Sequence, residues 1–148
     1  MQRSKRMKVV VDMAQRAEDD AASQLEKCRR AFDEEQQRLT DLEQYYSEYD
    51  QRFQNSPAVR ADQLSANRQF LQQLRETCNT QSMQVKRAEA LLEAAKGYWR
   101  DQHLKHRNLK QYVDKLRSQE NAVREKLEQK ILDEWVSQSH HRAQEAKK

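Results

Sequence analysis

The scarcity of turn-forming residues is the feature that most constrains this chain. Its 148 residues include one glycine, Gly97, and one proline, Pro57. Turn-rich folds need many of both, because glycine supplies positive φ and proline fixes tight reversals. The chain is instead rich in Gln, Glu, Lys, Arg, Ala and Leu, which are good helix formers. The sequence therefore predicts an all-α protein made of very few, very long helices.

The apolar content limits how these helices pack. Hydrophobic residues make up 36% of the chain and charged residues 35%. This apolar fraction is too small for a thick globular core, although the length would suit one compact domain. A thin contact stripe between long helices, called the seam below, uses the apolar residues better. We expect a single coiled-coil domain over residues 1–148.

The first seam runs through residues 25–53 with an unbroken spacing of three and four. Eight of its nine positions are apolar or aromatic: Leu25, Cys28, Phe32, Glu35, Leu39, Leu42, Tyr46, Tyr49 and Phe53. A weaker seam of small residues extends it backward through Ala21, Glu18, Ala14, Val11 and Met7. A repeat of 3.5 residues keeps one stripe of a helix facing a partner helix. The spacing predicts a helix over about residues 3–54.

A second seam of the same kind runs from Leu64 to Leu127. Its members are Leu71, Leu74, Cys78, Gln81, Val85, Ala88, Leu92, Ala95, Trp99, Gln102, His106, Leu109, Val113, Leu116, Glu120 and Val123. Between the two seams, Ser56 and Pro57 are typical of a helix N-cap followed by its first residue. We expect a turn over about 55–61 and a second helix over about 62–140. A short connection makes neighbouring helices antiparallel, so the predicted fold is an antiparallel two-helix coiled-coil hairpin with a longer C-terminal helix.

The unequal lengths predict an overhang. Folding about residue 58 pairs residue 3 with roughly residue 113, which leaves about 25 to 30 residues of the second helix without an intramolecular partner. That segment still carries apolar residues: Leu116, Val123, Leu127, Ile131, Leu132, Trp135 and Val136. An unpartnered apolar stripe predicts a binding partner or self-association. The alternative is a frayed tail.

No combination of residues in the sequence indicates catalysis. A single glycine excludes the Gly-rich loops that hold phosphates. His103 and His106 have a spacing that suits one metal ion, but no third ligand is evident, so ordinary coiled-coil histidines are favoured. The carboxylates alternate with Lys and Arg, which favours solvated faces over an acid/base pair. We expect no enzyme activity, no cofactor and no bound metal.

Charge and hydropathy restrict the partners. The net charge of +4 arises from 28 basic and 24 acidic residues that are interspersed, whereas a nucleic-acid binder shows a basic stripe. We expect no nucleic acid, although the basic termini leave a coiled-coil nucleic-acid binder as an alternative. No apolar run is long enough for a membrane span or a signal peptide. A cytoplasmic protein with reduced Cys28 and Cys78 is expected, either a rod that engages proteins at its ends or a holdase-like chaperone.

The region 45–53 holds four of the ten aromatic residues in the chain. Tyr46, Tyr49 and Phe53 fall on the seam, whereas Tyr45 lies one step off it. We therefore expect three rings to fix the hairpin near its turn and Tyr45 to face outward. Exposed aromatic rings suit a docking surface, because they offer contact area at low entropic cost.

Six short motifs occur along the chain in a distinctive order: "DDAA" (19–22), "CRR" (28–30), "YYSEY" (45–49), "QFLQQL" (69–74), "YWR" (98–100) and "EQKILDEW" (128–135). In this order and length the sequence resembles the FliJ family, small stalk proteins of the bacterial flagellar type III export apparatus. The resemblance implies a non-enzymatic coiled coil that binds the hexameric export ATPase FliI and promotes its assembly into a ring. It also implies contact with the export gate protein FlhA, a cytoplasmic location at the inner membrane of the flagellar base, and in some members escort of export chaperones.

The resemblance also implies two sets of interface residues. The ATPase-ring set is Met7, Val10, Val11, Leu127, Lys130, Leu132, Asp133 and Trp135. The export-gate set is Tyr45, Tyr49, Phe70 and Leu74. Thr77 and Gln81 depart from the family pattern, which has a small apolar residue and a histidine there. Two alternatives are the equivalent stalk of a virulence-type injectisome and an unrelated coiled-coil adaptor or chaperone.

Overall fold

Two long helices account for nearly all of the structure. The computed structural model describes residues 2–55 and 61–147, which form α1 (Arg3–Gln54, 52 residues) and α2 (Ala61–Ala146, 86 residues). These residues include no strand, and the predicted all-α class is confirmed. α2 continues past the predicted end at about residue 140. The predicted cap formed by Ser56 and Pro57 lies outside the described residues.

α2 is continuous through the only glycine of the chain. Gly97 lies inside the helix, and none of the described residues has a positive φ. A glycine within a helix costs about 1 kcal/mol relative to alanine, which is small for a helix that packs along much of its length. A Cβ atom added at Gly97 would meet no other atom within 4 Å, so the position borders open space.

The chain divides into two compact units. The first unit comprises residues 1–17 and 102–148, and the second unit comprises residues 18–101. Each unit therefore contains a segment of α1 and a segment of α2. The single domain over residues 1–148 stays a prediction.

The second unit is a helical hairpin in which the two predicted seams meet. All nine positions of the first seam are buried or half-buried, with Leu39 the most enclosed. On α2 the buried residues are Leu74, Val85, Ala88 and Leu92. The segments are antiparallel, because Tyr49 contacts Asn67 whereas the earlier Glu35 contacts the later Gln81. The seam predicted from the spacing is confirmed for this unit.

A polar pair lies within the seam of the second unit. The Gln81 side-chain amide donates to the backbone carbonyl of Glu35 at 2.9 Å and also to the Glu35 carboxylate. Both side chains are half-buried. Buried polar groups cost stability unless they are paired, so this contact favours one register over others that would leave the amide without a partner.

In the first unit, the start of α1 is anchored to α2 at Ser4. This serine is 2% exposed. Its backbone N–H donates to one carboxylate oxygen of Glu120 at 3.0 Å, and its hydroxyl donates to the other. The hydrogen bonds from the Ser4 hydroxyl and amide lower the pKa of Glu120. Ala14 and Val113 are the buried apolar residues of this unit.

The pairing of Ser4 with Glu120 differs from the predicted pairing of residue 3 with roughly residue 113. The difference is close to one heptad along α2. A slip of one heptad returns the same stripe to the same side of a helix, so apolar spacing alone does not distinguish the two registers. The hydrogen bonds of Ser4 with Glu120 occur in the observed pairing of the first unit.

Candidate interaction surfaces

The two cysteines lie in the seam of the second unit. Cys28 and Cys78 are free thiols and half-buried. Burial, and secondarily the negative charge of Glu43, raises the pKa of Cys78. A raised pKa keeps the thiol protonated and weakly nucleophilic. Cys78 therefore serves as a small apolar side chain.

Metal binding and membrane insertion find no support within the described ranges. No group of three or more His, Cys, Asp or Glu side chains there is arranged to hold a metal ion. Neither helix, over those same residues, has a stretch with the length and apolarity of a membrane span. His103 and His106 are half-buried members of α2.

The first candidate surface is the aromatic cluster, formed by Tyr45, Tyr49 and Phe70 in the second unit. The rings of Tyr49 and Phe70 have centroids 4.6 Å apart and are tilted by 51°. Tyr45 meets Phe70 edge to face, with centroids 6.5 Å apart and an angle of 83°. Such offset and edge-to-face pairs are favourable beyond their buried area. Phe70 thus joins the two α1 tyrosines into one rigid surface.

The aromatic residues of this part of α1 form an enclosed layer and an exposed layer. The Tyr49 hydroxyl donates to the Asn67 side-chain oxygen at 3.0 Å, which fixes that ring across the two helices. Tyr46, Tyr49 and Phe53 are half-buried, whereas Tyr45 is 49% exposed. The layering predicted from the seam is confirmed.

The cluster ends at Leu74. This leucine is only 8% exposed, so it lies within the seam and offers little surface to a partner. Beyond it, the Thr77 hydroxyl donates to the Gln73 carbonyl at 3.0 Å, and Gln81 turns inward to Glu35. Thr77 and Gln81, the two residues that depart from the family pattern, therefore add no apolar group to the aromatic cluster.

The second candidate surface is the C-terminal stripe, in the first unit. It consists of Val123, Leu127, Ile131, Leu132, Trp135 and Val136, each of which is more than half exposed. Every residue from 121 to 147 is exposed, and α2 remains helical to Ala146. The predicted exposed apolar segment is therefore present and helical from Val123 onward, whereas Leu116, which was predicted to belong to it, is half-buried and lines a cleft with Gln2 and Arg3.

The C-terminal stripe winds around α2 and does not continue the seam. A strict heptad continuation beyond Leu127 would place Lys130 and Glu134 on the seam, and both are charged. Ile131 and Trp135 instead follow Leu127 at intervals of four residues. Since a helix has 3.6 residues per turn, each interval of four rotates the stripe by about 40°. Sequence reasoning based on the heptad missed this rotation, although the spacing reveals it.

The N-terminal residues of the predicted ATPase-ring set are only partly available. Met7 and Val11 are half-buried, whereas Val10 is 40% exposed. At residues that precede Met7 in the sequence, the start of α1 and the facing part of α2 form an open apolar cleft. It is lined by Gln2, Arg3, Leu116, Gln119, Glu120, Val123, Arg124 and Leu127. This cleft connects the N-terminal end of α1 with the first residues of the C-terminal stripe.

The charged members of that set lie on the exposed part of α2. Lys130 and Asp133 are exposed, and Asp133 accepts a hydrogen bond from Gln129 at 3.1 Å. Leu132 and Trp135 are 54% and 64% exposed. Together with Leu127, five residues of the predicted set therefore present side chains on the same 27-residue exposed segment of the first unit.

Comparisons with known proteins agree with the resemblance inferred from the sequence. The chain matches the family model described as "Flagellar FliJ protein" over residues 3–145. Searches of curated proteins and of solved structures found no match. The family match covers almost the whole chain, including both candidate surfaces. The chain therefore belongs to the FliJ family and is a component of the flagellar protein export apparatus.

Proposed function

We propose that this protein is a non-enzymatic stalk that binds the export ATPase ring, promotes its assembly and links it to the export gate. The observation that carries the proposal is the presence of two separate unpartnered apolar surfaces. The C-terminal stripe belongs to the first unit, and the aromatic cluster belongs to the second unit. A protein with two distinct docking surfaces can bind two partners at once, which is what a linker requires.

The C-terminal stripe is the proposed ATPase-ring surface. Exposed apolar patches of this kind mark binding sites, and an apolar helix face typically docks in a groove. Trp135 and Leu132 are the large side chains expected to supply most of the binding energy. The positive charges of Lys5, Arg6 and Lys8 at the start of α1, together with that of Lys130, favour an acidic partner, mainly by raising the association rate.

The winding of the C-terminal stripe favours a ring over a single partner helix. Three intervals of four residues separate Val123 from Trp135, so the apolar surface turns by about 120° between them. One packed helix covers only one side of α2. The lumen of a hexameric ATPase, which is the FliI-like partner implied by the family resemblance, surrounds a helix and can contact it on several sides.

The aromatic cluster is the proposed export-gate surface, for a FlhA-like protein. Tyr45 and Phe70 present exposed rings, Tyr49 packs against Phe70, and Leu74 is buried in the seam. Because the rings already contact one another, docking requires little further ordering of side chains. Binding to the gate would hold the protein at the inner membrane of the flagellar base.

Direct binding assays test the ATPase-ring surface. Deletion of residues 127–148 should abolish binding to a purified export ATPase while the remaining chain keeps its helical circular dichroism. Trp135→Ala should weaken binding at least tenfold, and Tyr112→Ala, which truncates another exposed aromatic residue of α2, should leave it unchanged. Full stimulation of the ATPase by the deletion variant would refute the assignment.

Three further hypotheses about the function of these surfaces can be separated by experiment. The family match favours the flagellar system over an injectisome, and a binding comparison between the two kinds of export ATPase tests this preference. Escort of export chaperones belongs to the same proposal and predicts co-purification with client-free chaperones. A general holdase would instead suppress the aggregation of unrelated unfolded proteins.

A further inference from the structure

α2 carries another exposed apolar face in the second unit, which the proposed function leaves unused. Met83, Leu91 and Tyr98 are 59%, 64% and 56% exposed. None of them belongs to the seam or to the aromatic cluster. Exposed apolar residues that recur on one side of a helix indicate a contact surface.

This face, called the Ala94 face, consists of three columns with heptad spacing. The central column is Arg87, Ala94 and Asp101; one flanking column is Met83, Ala90 and Gly97; the other is Gln84, Leu91 and Tyr98. All of these residues are exposed except Gly97, which is half-buried. The face therefore has small residues at its centre and on one side, large apolar residues on the other side, and opposite charges at its two ends.

We propose that the Ala94 face binds the same face of a second copy of this chain, with the two α2 helices antiparallel and a two-fold axis at Ala94. Such an interface is self-complementary, because each contact occurs twice. Arg87 and Asp101 lie equally far from Ala94 in opposite directions. Each Arg87 is thus placed against Asp101 of the other copy, while the two Ala94 residues meet at the axis.

The flanking columns are complementary in the same arrangement. A two-fold axis of this kind places each flanking column against its own copy, running in the opposite direction. Leu91 then lies beside Tyr98 of the other copy, and Ala90 lies beside Gly97 of the other copy. The first contact buries large apolar groups. The second brings two small residues together, which allows the helix axes to approach closely.

The charges select both the partner and its orientation. A parallel pair would place Arg87 against Arg87 and Asp101 against Asp101, whereas the antiparallel pair forms two attractive contacts. Neither residue takes part in an ion pair within residues 2–55 and 61–147. An unrelated partner would not require opposite charges equally spaced about a central alanine. This symmetry is the argument for a second copy.

The size of the Ala94 face predicts a weak, reversible dimer. The face extends from residue 83 to residue 101, or about 27 Å of a single helix. Contact along one such helix buries less than the roughly 1,200 Å² typical of the smallest stable interfaces. We therefore expect a dissociation constant between about 1 μM and 1 mM, so that association depends on protein concentration.

Charge reversal provides the decisive test, measured by sedimentation velocity over a concentration series. Arg87→Glu alone and Asp101→Lys alone should each weaken association at least tenfold, since each places like charges together at both ends. A 1:1 mixture of these two variants should associate as the wild type does, because every contact again joins opposite charges. The matched controls Arg100→Glu and Glu89→Lys change exposed charges outside the face and should have no effect.

A second variant tests the small side of the interface without weakening the fold. Gly97→Leu adds a side chain where the structure leaves open space and where Ala90 of the other copy should lie. It should abolish association while helical circular dichroism is kept or increased.

Three results would overturn the proposal. They are a wild-type protein that stays monomeric at about 1 mM, a mixture of the charge variants that does not associate, and association that survives both single variants but disappears with Trp135→Ala. The last result would assign self-association to the C-terminal stripe. The first two outcomes do not bear on the proposed contacts with the ATPase ring or the export gate, which the binding assays test separately.

Discussion

The contact between Gln81 and Glu35 allows the energetics of the seam to be predicted in detail. Replacing Gln81 by leucine removes hydrogen bonds to the Glu35 carbonyl and carboxylate. A net hydrogen bond contributes about 1 kcal/mol, and one to a charged group about 1.5 to 3 kcal/mol when buried. The Glu35 side chain is 25% exposed and stays paired with Arg38 at 3.1 Å, so the lower values apply. The loss is about 2 kcal/mol, and leucine in the seam recovers roughly 1 kcal/mol by apolar burial.

The expected cost of Gln81→Leu is therefore about 1 kcal/mol in the free energy of unfolding. Glu35→Leu alone should cost less, because the backbone carbonyl still accepts from Gln81. The double variant joins two leucines in the seam and should be as stable as the wild type or more stable. The two substitutions should thus be coupled by about 1 to 2 kcal/mol.

Urea unfolding followed by circular dichroism measures these quantities for the two single variants and the double variant. The control Gln73→Leu makes the same replacement at an exposed position of α2 and should change stability by less than about 0.5 kcal/mol. Strictly additive effects of Gln81→Leu and Glu35→Leu would refute the reasoning, because additivity would mean that the two side chains do not interact in solution.

Three further predictions concern single substitutions. Since hydrogen bonds from Ser4 lower the pKa of Glu120, their stabilising contribution should be present above the ordinary glutamate pKa and lost as pH falls through the lowered value. Ser4→Ala deletes the hydroxyl donor but keeps the backbone N–H donor, so it should reduce this acid-dependent contribution, measured by thermal unfolding over a pH series. Tyr49→Phe deletes the hydrogen bond to Asn67 and should lower the free energy of unfolding by about 1 kcal/mol, measured with urea. The control Tyr112→Phe makes the same replacement at an exposed tyrosine and should leave the free energy of unfolding unchanged. Gly97→Ala should raise stability by up to about 1 kcal/mol, because the added Cβ meets no atom within 4 Å; destabilisation would indicate a clash that the structure does not contain.

Much of the fold could be predicted from the sequence, because the seam is a property of local spacing. The apolar positions from Leu25 to Phe53 are all at least half-buried, and the outward placement of Tyr45 followed from its position one step off the seam. Spacing could not fix the pairing at the far end of the seam, where a heptad slip preserves the same stripe. There Ser4 pairs with Glu120, a polar contact that apolar spacing does not predict.

Other features of the structure have a signal in the sequence that the apolar spacing does not use. Glu35 and Gln81 are polar positions within their seams and lie equally far from the predicted turn at residue 58, so their contact could have been proposed in advance. Leu91 and Tyr98 also recur with heptad spacing, but they lie off the seam, so the seam pattern does not predict the Ala94 face. The enclosure of Leu74 depends on side-chain packing, which the sequence alone does not provide.

Simultaneous binding of both partners is the most direct test of the stalk proposal. The cytoplasmic part of the export gate protein would be immobilised, loaded with this protein, and then exposed to the purified export ATPase. The account predicts that the ATPase is captured only when the stalk is present. It further predicts that the Trp135→Ala variant still binds the immobilised gate protein but no longer captures the ATPase. The Tyr45→Ala variant should fail to bind the gate protein, so that neither the stalk nor the ATPase is retained. Displacement of the stalk from the gate by the ATPase would show that the partners compete for one site, and it would contradict the account.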